Sequence, residues 1–284
     1  MINLKIKGGL GNQLFQYAVA RSLALKNNVN INIDYSYYNQ AGPDTPRQYL
    51  LDLFKVKVAD NHSANSVYEK IHLLHKVLRK LGVKTRLYAK KYYFENGVGF
   101  DPRVLELKDH IWLTGFFQSY KYFSDIADIL REELKLRATF PVNSNITETE
   151  SVFIHIRRGD YVSDNAASLF FGLCSLDYYE GAIKLMKEKL TNPKFFIFSD
   201  DISWVKNNLK LDEAVYVSDG KLQDFEELSL MSHCHHAIMA NSSFSWWGAW
   251  LIDNKDKIVI APKQWFTNKK ISTKDLIPEN WIRI

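Results

Sequence analysis

The sequence predicts an α/β protein built from two Rossmann-type halves that face each other across a cleft, and three observations predict it. The first forty residues read as β-α-β around a glycine-rich turn. Apolar strand-like runs alternate with helical periods from Val152 to Ala261. Between these regions, Thr139–Glu150 is polar and contains Pro141, which places a domain boundary there and gives halves of 1–145 and 146–284. A chain of 284 residues is long enough for two cores of about 140 residues each.

In order, Asn3–Lys7 alternates polar and apolar residues and leads into Gly8-Gly9. Asn12–Lys26 carries Leu14, Phe15, Ala18 and Leu25 at helical spacing, and Val29–Asp34 alternates again as a second strand. Gly42, Pro43 and Pro46 make residues 39–47 a loop. A basic helix follows within residues 69–91, then a strand at His110–Gly115 and a helix from Lys121 to Leu136. Beyond the boundary, strands are predicted at Val152–Ile156, Lys194–Ser199, Ala214–Val217, His236–Met239 and Lys257–Ala261. Helices are predicted at Leu176–Leu190, Ile202–Leu209, Asp224–Ser232 and Phe244–Ile252. Such βα alternation builds parallel sheets, whose ligands gather at the carboxyl ends of the strands.

Composition excludes several classes. Two cysteines, Cys174 and Cys234, without a CxxC spacing argue against a disulfide framework or structural zinc and point to a reducing cytoplasm. The N-terminus lacks the apolar stretch of a signal peptide, and no apolar run approaches the roughly 20 residues of a membrane-spanning helix. A net charge of +5 without a nucleic-acid motif argues against a nucleic-acid binder. The charge concentrates in residues 70–91, where Lys70, Lys76, Arg79, Lys80, Lys84, Arg86, Lys90 and Lys91 surround apolar positions at helical spacing. That segment reads either as a solvated helix face or as a peripheral contact for anionic lipid headgroups or a lipid-linked substrate.

The strongest local signal is His155-Ile156-Arg157-Arg158-Gly159-Asp160-Tyr161, directly after an apolar strand. Paired arginines at a strand end are costly if buried alone, whereas their planar forks fit phosphate oxygens. A structural ion pair of Arg157 or Arg158 with Asp160 is the competing reading. Gly8-Gly9-Leu10-Gly11-Asn12-Gln13 forms a glycine-rich strand-to-helix turn, with Asn12 and Gln13 as a polar wall. Leu14 stands where a dinucleotide fingerprint needs its third glycine, so nicotinamide binding is disfavoured even though Asp34 ends the second strand. Asn241-Ser242-Ser243-Phe244-Ser245-Trp246-Trp247-Gly248 opens a helix with good capping residues, which also makes an anion site. Asp200 and Asp201, at another strand end, read as a metal-binding pair or, preferably, as a helix cap and a contact to guanine or ribose. His233, Cys234, His235 and His236 read as a structural junction rather than a metal site.

These three motifs, in this order, resemble the signature blocks of glycosyltransferase family 11, the α-1,2-fucosyltransferases, and the resemblance runs from the first strand to Trp265. It implies a GT-B-like fold and a GDP-β-L-fucose donor used without a metal. It also implies inverting transfer to the 2-hydroxyl of a terminal galactose. The acceptor would be a β-galactoside-ended glycan, lipid-linked in surface-polysaccharide or O-antigen synthesis at the inner face of the bacterial cytoplasmic membrane. The catalytic expectation falls on Arg157, His155 and Asp160. Donor contacts are expected from Arg157, Arg158, Asp200, Asn241, Ser242, Ser243 and Ser245. Gly9, Gly11, Asn12 and Gln13 are expected to close the cleft from the acceptor side.

Overall fold

The computed structural model describes residues 1–39, 47–59, 77, 91–159 and 165–284. The basic segment 70–91 lies outside the described residues apart from Val77 and Lys91. The chain divides into two compact units, Met1–Asp52 with Val56–Glu133, and Leu53–Lys55 with Leu134–Ile284. Leu53–Lys55 joins the second unit because Lys55 N donates to Lys135 O at 3.0 Å and Arg137 N donates to Leu53 O at 2.8 Å.

The first unit is built on a parallel sheet of β1 (Ile2–Lys5), β2 (Ile31–Asp34), β3 (Tyr92–Phe94) and β4 (Trp112–Thr114), in the order β2-β1-β4-β3. Helix α1 (Leu10–Asn27) crosses between β1 and β2. Burial runs almost around α1, from Leu14, Phe15 and Tyr17 to Leu23. It ends where Asn28 takes a left-handed φ of 52° and returns its N–H to Ala24 and Leu25 carbonyls. Glu133 ties this helix to α2 (Ala127–Glu133), accepting a hydrogen bond from Tyr17 Oη at 2.5 Å and one from Arg21 Nη2 at 2.7 Å.

The helix expected over Lys121–Leu136 is broken. Two 3-10 turns, Tyr120–Tyr122 and Ser124–Ile126, precede α2. Tyr122 and Phe123 are drawn inward, each 1% exposed, against Phe117 and Phe15 at ring separations of 5.9 Å and 6.0 Å. Aromatic packing here overrides the helical period. Strand β3 escapes sequence detection because three residues are too few to show alternation.

Glu95 follows β3 and accepts hydrogen bonds from the backbone N–H groups of Phe116 and Phe117 at 2.6 Å and 3.0 Å. Burial nevertheless pushes its carboxyl up from 4.5 to about 7, outweighing those donors and the nearby Lys7 ammonium.

The second unit carries a six-stranded, wholly parallel sheet in the order β10-β9-β8-β5-β6-β7. Its strands are β5 (Ser151–Ile156), β6 (Lys194–Ser199), β7 (Val215–Tyr216), β8 (His236–Ile238), β9 (Val259–Ala261) and β10 (Ile282–Arg283). Between them run α3 (Ser144–Thr147), α4 (Asn165–Phe171), α5 (Leu176–Lys189), α6 (Ile202–Asn208), α7 (Asp224–Ser232) and α8 (Ser243–Leu251). The sequence reading missed α3, α4 and the two-residue β10. All six β5 residues are buried, as a strand covered on both faces requires. Val152, Ile154 and Ile156 pack with Ile183, Met186, Ile197 and Ile238 in one core cluster. Helix α8 has no basic residue in its last turn. Lys257 takes that role from outside, donating to the carbonyls of Ala249, Trp250 and Ile252 at 2.8–2.9 Å.

Two stability outcomes follow from the first unit. Glu133→Ala strands the half-buried Arg21 cation, and chemical denaturation should show a loss of about 3–5 kcal/mol, the usual cost of removing one partner of a buried pair. Because the folded Glu95 carboxyl is raised, its stabilising contribution is full below pH 4.5 and is lost as pH rises through about 7. Urea midpoints at pH 5 and pH 8, chosen to bracket that rise, should therefore fall further for the native chain than for Glu95→Gln. Equal falls would show that Glu95 does not ionise in this window.

Candidate functional site

In the six-stranded sheet, the chain leaves β5 through β6 to β7 on one side, then crosses to β8, β9 and β10 on the other. The reversal falls between β5 and β8, and a doubly wound sheet opens a crevice outside the carboxyl ends of the strands at such a point. Two of the sequence motifs flank that crevice. The turn Arg157-Arg158-Gly159 leaves β5, and Asn241-Ser242 leads from β8 into α8.

Asp200, at the end of β6, organises the arginine turn. Its Oδ2 lies 2.9 Å from Arg157 Nη1, and its Oδ1 accepts the Arg158 backbone N–H at 2.8 Å. A Cβ on Gly159 would stand 2.7 Å from Asp200 Oδ2, so the glycine makes room for a protein carboxylate. This differs from the expected contact of Asp200 with guanine or ribose, since both carboxylate oxygens are turned to the arginine turn. Asp201 Oδ2 accepts from Arg158 Nε at 3.3 Å, and its Oδ1 accepts the Trp204 N–H at 3.1 Å, capping α6. The Arg158 guanidinium lies 3.8 Å from the centre of the Trp204 ring. Arg158 is thus held by Asp201 and Trp204, and Asp160 lies outside the described residues. Arg157 keeps 21% of its side chain exposed at the strand end.

His155 is 2% exposed, and burial, aided by the Arg157 charge, pushes its pKa down to about 3. It is therefore a neutral imidazole at physiological pH and a poor proton acceptor. Its ring centre lies 5.5 Å from that of Phe244.

The Asn241 block divides into structural and available groups. Asn241 Nδ2 donates to the carbonyls of Phe171, Gly172 and Trp265, and its Oδ1 accepts from Cys174 Sγ at 3.4 Å. Ser245 is fully buried and accepts the Ala240 N–H at 3.0 Å. Trp246 and Trp247 are both fully buried in the helix core. Ser242 stands at the N-cap of α8 without a side-chain cap bond, and Ser243 begins the helix. These two, with the first N–H groups of α8, form an end suited to an anion.

Sequence reasoning missed Glu227, which sits in the opening turns of α7 near Asp200 and Arg157. Burial first, then the neighbouring Asp224 and Asp200 charges, raise its carboxyl to about 7 despite a hydrogen bond with Ser218. The available signal was Asp224, Glu226 and Glu227 together at a helix start. The residues His233–His236 are structural. His236 Nε2 pairs Glu150 at 2.6 Å while its Nδ1 accepts the Ile258 N–H, and His235 bonds Ser151 and Thr149.

In the first unit, the glycine turn is organised mainly from within. Gly8 has φ +83°, and Gly9 is the N-cap of α1. Gly11 and Gln13 are buried; Gln13 Nε2 donates to the carbonyls of Gly8 and Gln48, and its Oε1 accepts the Leu50 N–H. Gln13 is therefore a stitch within the unit, not the polar wall expected. Asn12 remains half-buried and accepts from Gln118 Nε2 at 2.8 Å. Arg47, also missed from sequence, lies 4.0 Å from where a Cβ on Gly9 would stand. Asp34 is 3% exposed and accepts the Ser36 N–H at 2.9 Å, which gives it a turn-forming role.

The chain matches the family described as "Glycosyl transferase family 11" over residues 1–284. It is 34% identical to an alpha-1,2-colitosyltransferase of Escherichia coli, with 99% of this chain and 97% of that protein covered. It is 30% identical to the O-antigen biosynthesis glycosyltransferase WbnK of Escherichia coli, with 98% and 99% covered. Among solved structures, fucosyltransferase NodZ from Bradyrhizobium aligns with a TM-score of 0.45 and 15% identity, covering 87% of this chain and 91% of that one. With the family match running from the first residue to the last, and a 34% identical relative aligned across nearly the whole length, the chain belongs to glycosyltransferase family 11.

Proposed function

We propose that the protein transfers L-fucose from GDP-β-L-fucose to the 2-hydroxyl of a terminal galactose, with inversion, in the assembly of a surface glycan such as O-antigen. The observation that carries this reading is the Arg157 guanidinium, pre-oriented by Asp200 at the β5–β8 switch point beside the uncapped start of α8. A cation and a helix N-terminus at one crevice suit a diphosphate. As the bond between the sugar and the diphosphate breaks in a single displacement, negative charge grows on the leaving GDP. Arg157 and the α8 terminus at Ser242 and Ser243 would stabilise that charge. His155, neutral and buried, would serve as a wall of the donor site and Arg158 as a brace for the turn. Asp160 remains a proposed catalytic group on the sequence motif alone. The 146–284 half is proposed as the donor domain. The 1–145 half, with its Gly9, Gly11 and Asn12 turn, is proposed as the acceptor side.

The 34% identical colitosyltransferase favours a second reading, in which the donor sugar is colitose and the α-1,2 linkage is kept. Purified protein incubated in EDTA with GDP-fucose or the corresponding colitose donor, with and without lactose or N-acetyllactosamine, distinguishes them. Acceptor-dependent GDP release with GDP-fucose, and fucose on the galactose 2-hydroxyl by NMR, is the expected result. Release only with the colitose donor establishes the second reading. Arg157→Ala should lower the rate by about 10²–10³ while circular dichroism stays native. An unchanged rate would remove Arg157 from the chemistry.

A further inference from the structure

Helix α4 and the residues after it form an apolar face that the donor-site reading does not use. The stretch 165–173 contains no charged residue. Leu169 is 77% exposed, and Phe170 and Leu173 are each 43% exposed. Single exposed apolar residues are ordinary, whereas here three fall within five positions.

This stretch is firmly anchored. Thr267 donates its N–H to Phe170 O at 3.0 Å, and its hydroxyl reaches the carbonyls of Leu169 and Phe170. The Phe170 ring packs 5.0 Å from Phe266, and Asn241 holds the carbonyls of Phe171 and Gly172. This bonding brings the exposed stretch Thr267–Lys270 against the end of α4. Residues 263–274 contain Lys263, Lys269, Lys270 and Lys274 and no acid.

Exposed leucine and phenylalanine side chains beside a lysine-rich stretch suit a surface that is apolar inside and anionic at its rim. That is the chemistry of an anionic bilayer, where apolar side chains enter below headgroups that lysines attract. We propose that Leu169, Phe170 and Leu173, with Lys269 and Lys270, form a docking face for an anionic lipid bilayer. None of these residues falls within 70–91 in the sequence, and the docking face does not depend on which sugar is transferred.

The test is sedimentation of the full chain with vesicles of phosphatidylcholine, with and without phosphatidylglycerol. The native chain should bind the phosphatidylglycerol vesicles, and rising salt should weaken that binding. Leu169→Glu/Leu173→Glu and, separately, Lys269→Glu/Lys270→Glu should each weaken it by about tenfold or more. Both variants should keep the native melting temperature and the native rate on a soluble acceptor. The lysine variant keeps the test decisive should the leucine variant fold poorly. Absence of native binding overturns the proposal. Variants that bind as well as the native chain also overturn it, because the contact then lies elsewhere. Self-association of the native chain that the leucine variant abolishes, without vesicle binding, assigns the face to a second copy and overturns it too.

Discussion

Much of the second unit depends on one constraint, that β5 is buried on both faces and hydrogen-bonded along both edges, to β6 and to β8. A strand so placed has no solvent-facing side, which is why Ser151-Val152-Phe153-Ile154-His155-Ile156 reads as nearly continuous apolar sequence. It also forces the chain to reverse direction beside it, since the strands on its two sides follow in opposite sequence order. Right-handed crossovers then place helices on both faces and leave the crevice at its carboxyl end. The charged turn at Arg157 sits there because it is the first point at which the chain escapes the core.

The site manages its charges by pairing them within the protein. Arg157 and Arg158 stand side by side in sequence, yet each has its own carboxylate, Asp200 and Asp201. Arg157 pairs with Asp200, whereas Arg158, paired with Asp201, also lies on the Trp204 ring. Holding a guanidinium in place before ligand arrives lowers the ordering cost of binding. The same crowding of charge and burial leaves His155 neutral and raises Glu227.

The glycine-rich block in the first unit illustrates a different use of polar residues. Gln13 and Gln16 are both fully buried, and each closes backbone groups that the glycine turn leaves unpaired: Gln13 at Gly8, Gln48 and Leu50, Gln16 at Lys7 and Asn12. A buried backbone group without a partner is costly, so an irregular turn under a helix needs such side chains. A motif of this kind marks a demanding piece of backbone as much as a ligand contact.

By itself the sequence determined the α/β class, most strands and helices of the second unit, and the motif that places the chain in its family. These are local properties, carried by period, by turn residues and by residue type at strand ends. It did not reveal β3, β10 or α4, whose lengths of three, two and seven residues leave little pattern to read. Nor did it show that Asp201 and Trp204 hold Arg158, or that Asp200 faces the arginine turn, because partners forty residues apart are chosen by strand order. Burial likewise decided that Trp246, Trp247, Asn241 and Ser245 belong to the interior. Only the tertiary structure sorts a motif into the side chains that support a site and those left facing it, since that depends on which neighbours the fold brings to each atom.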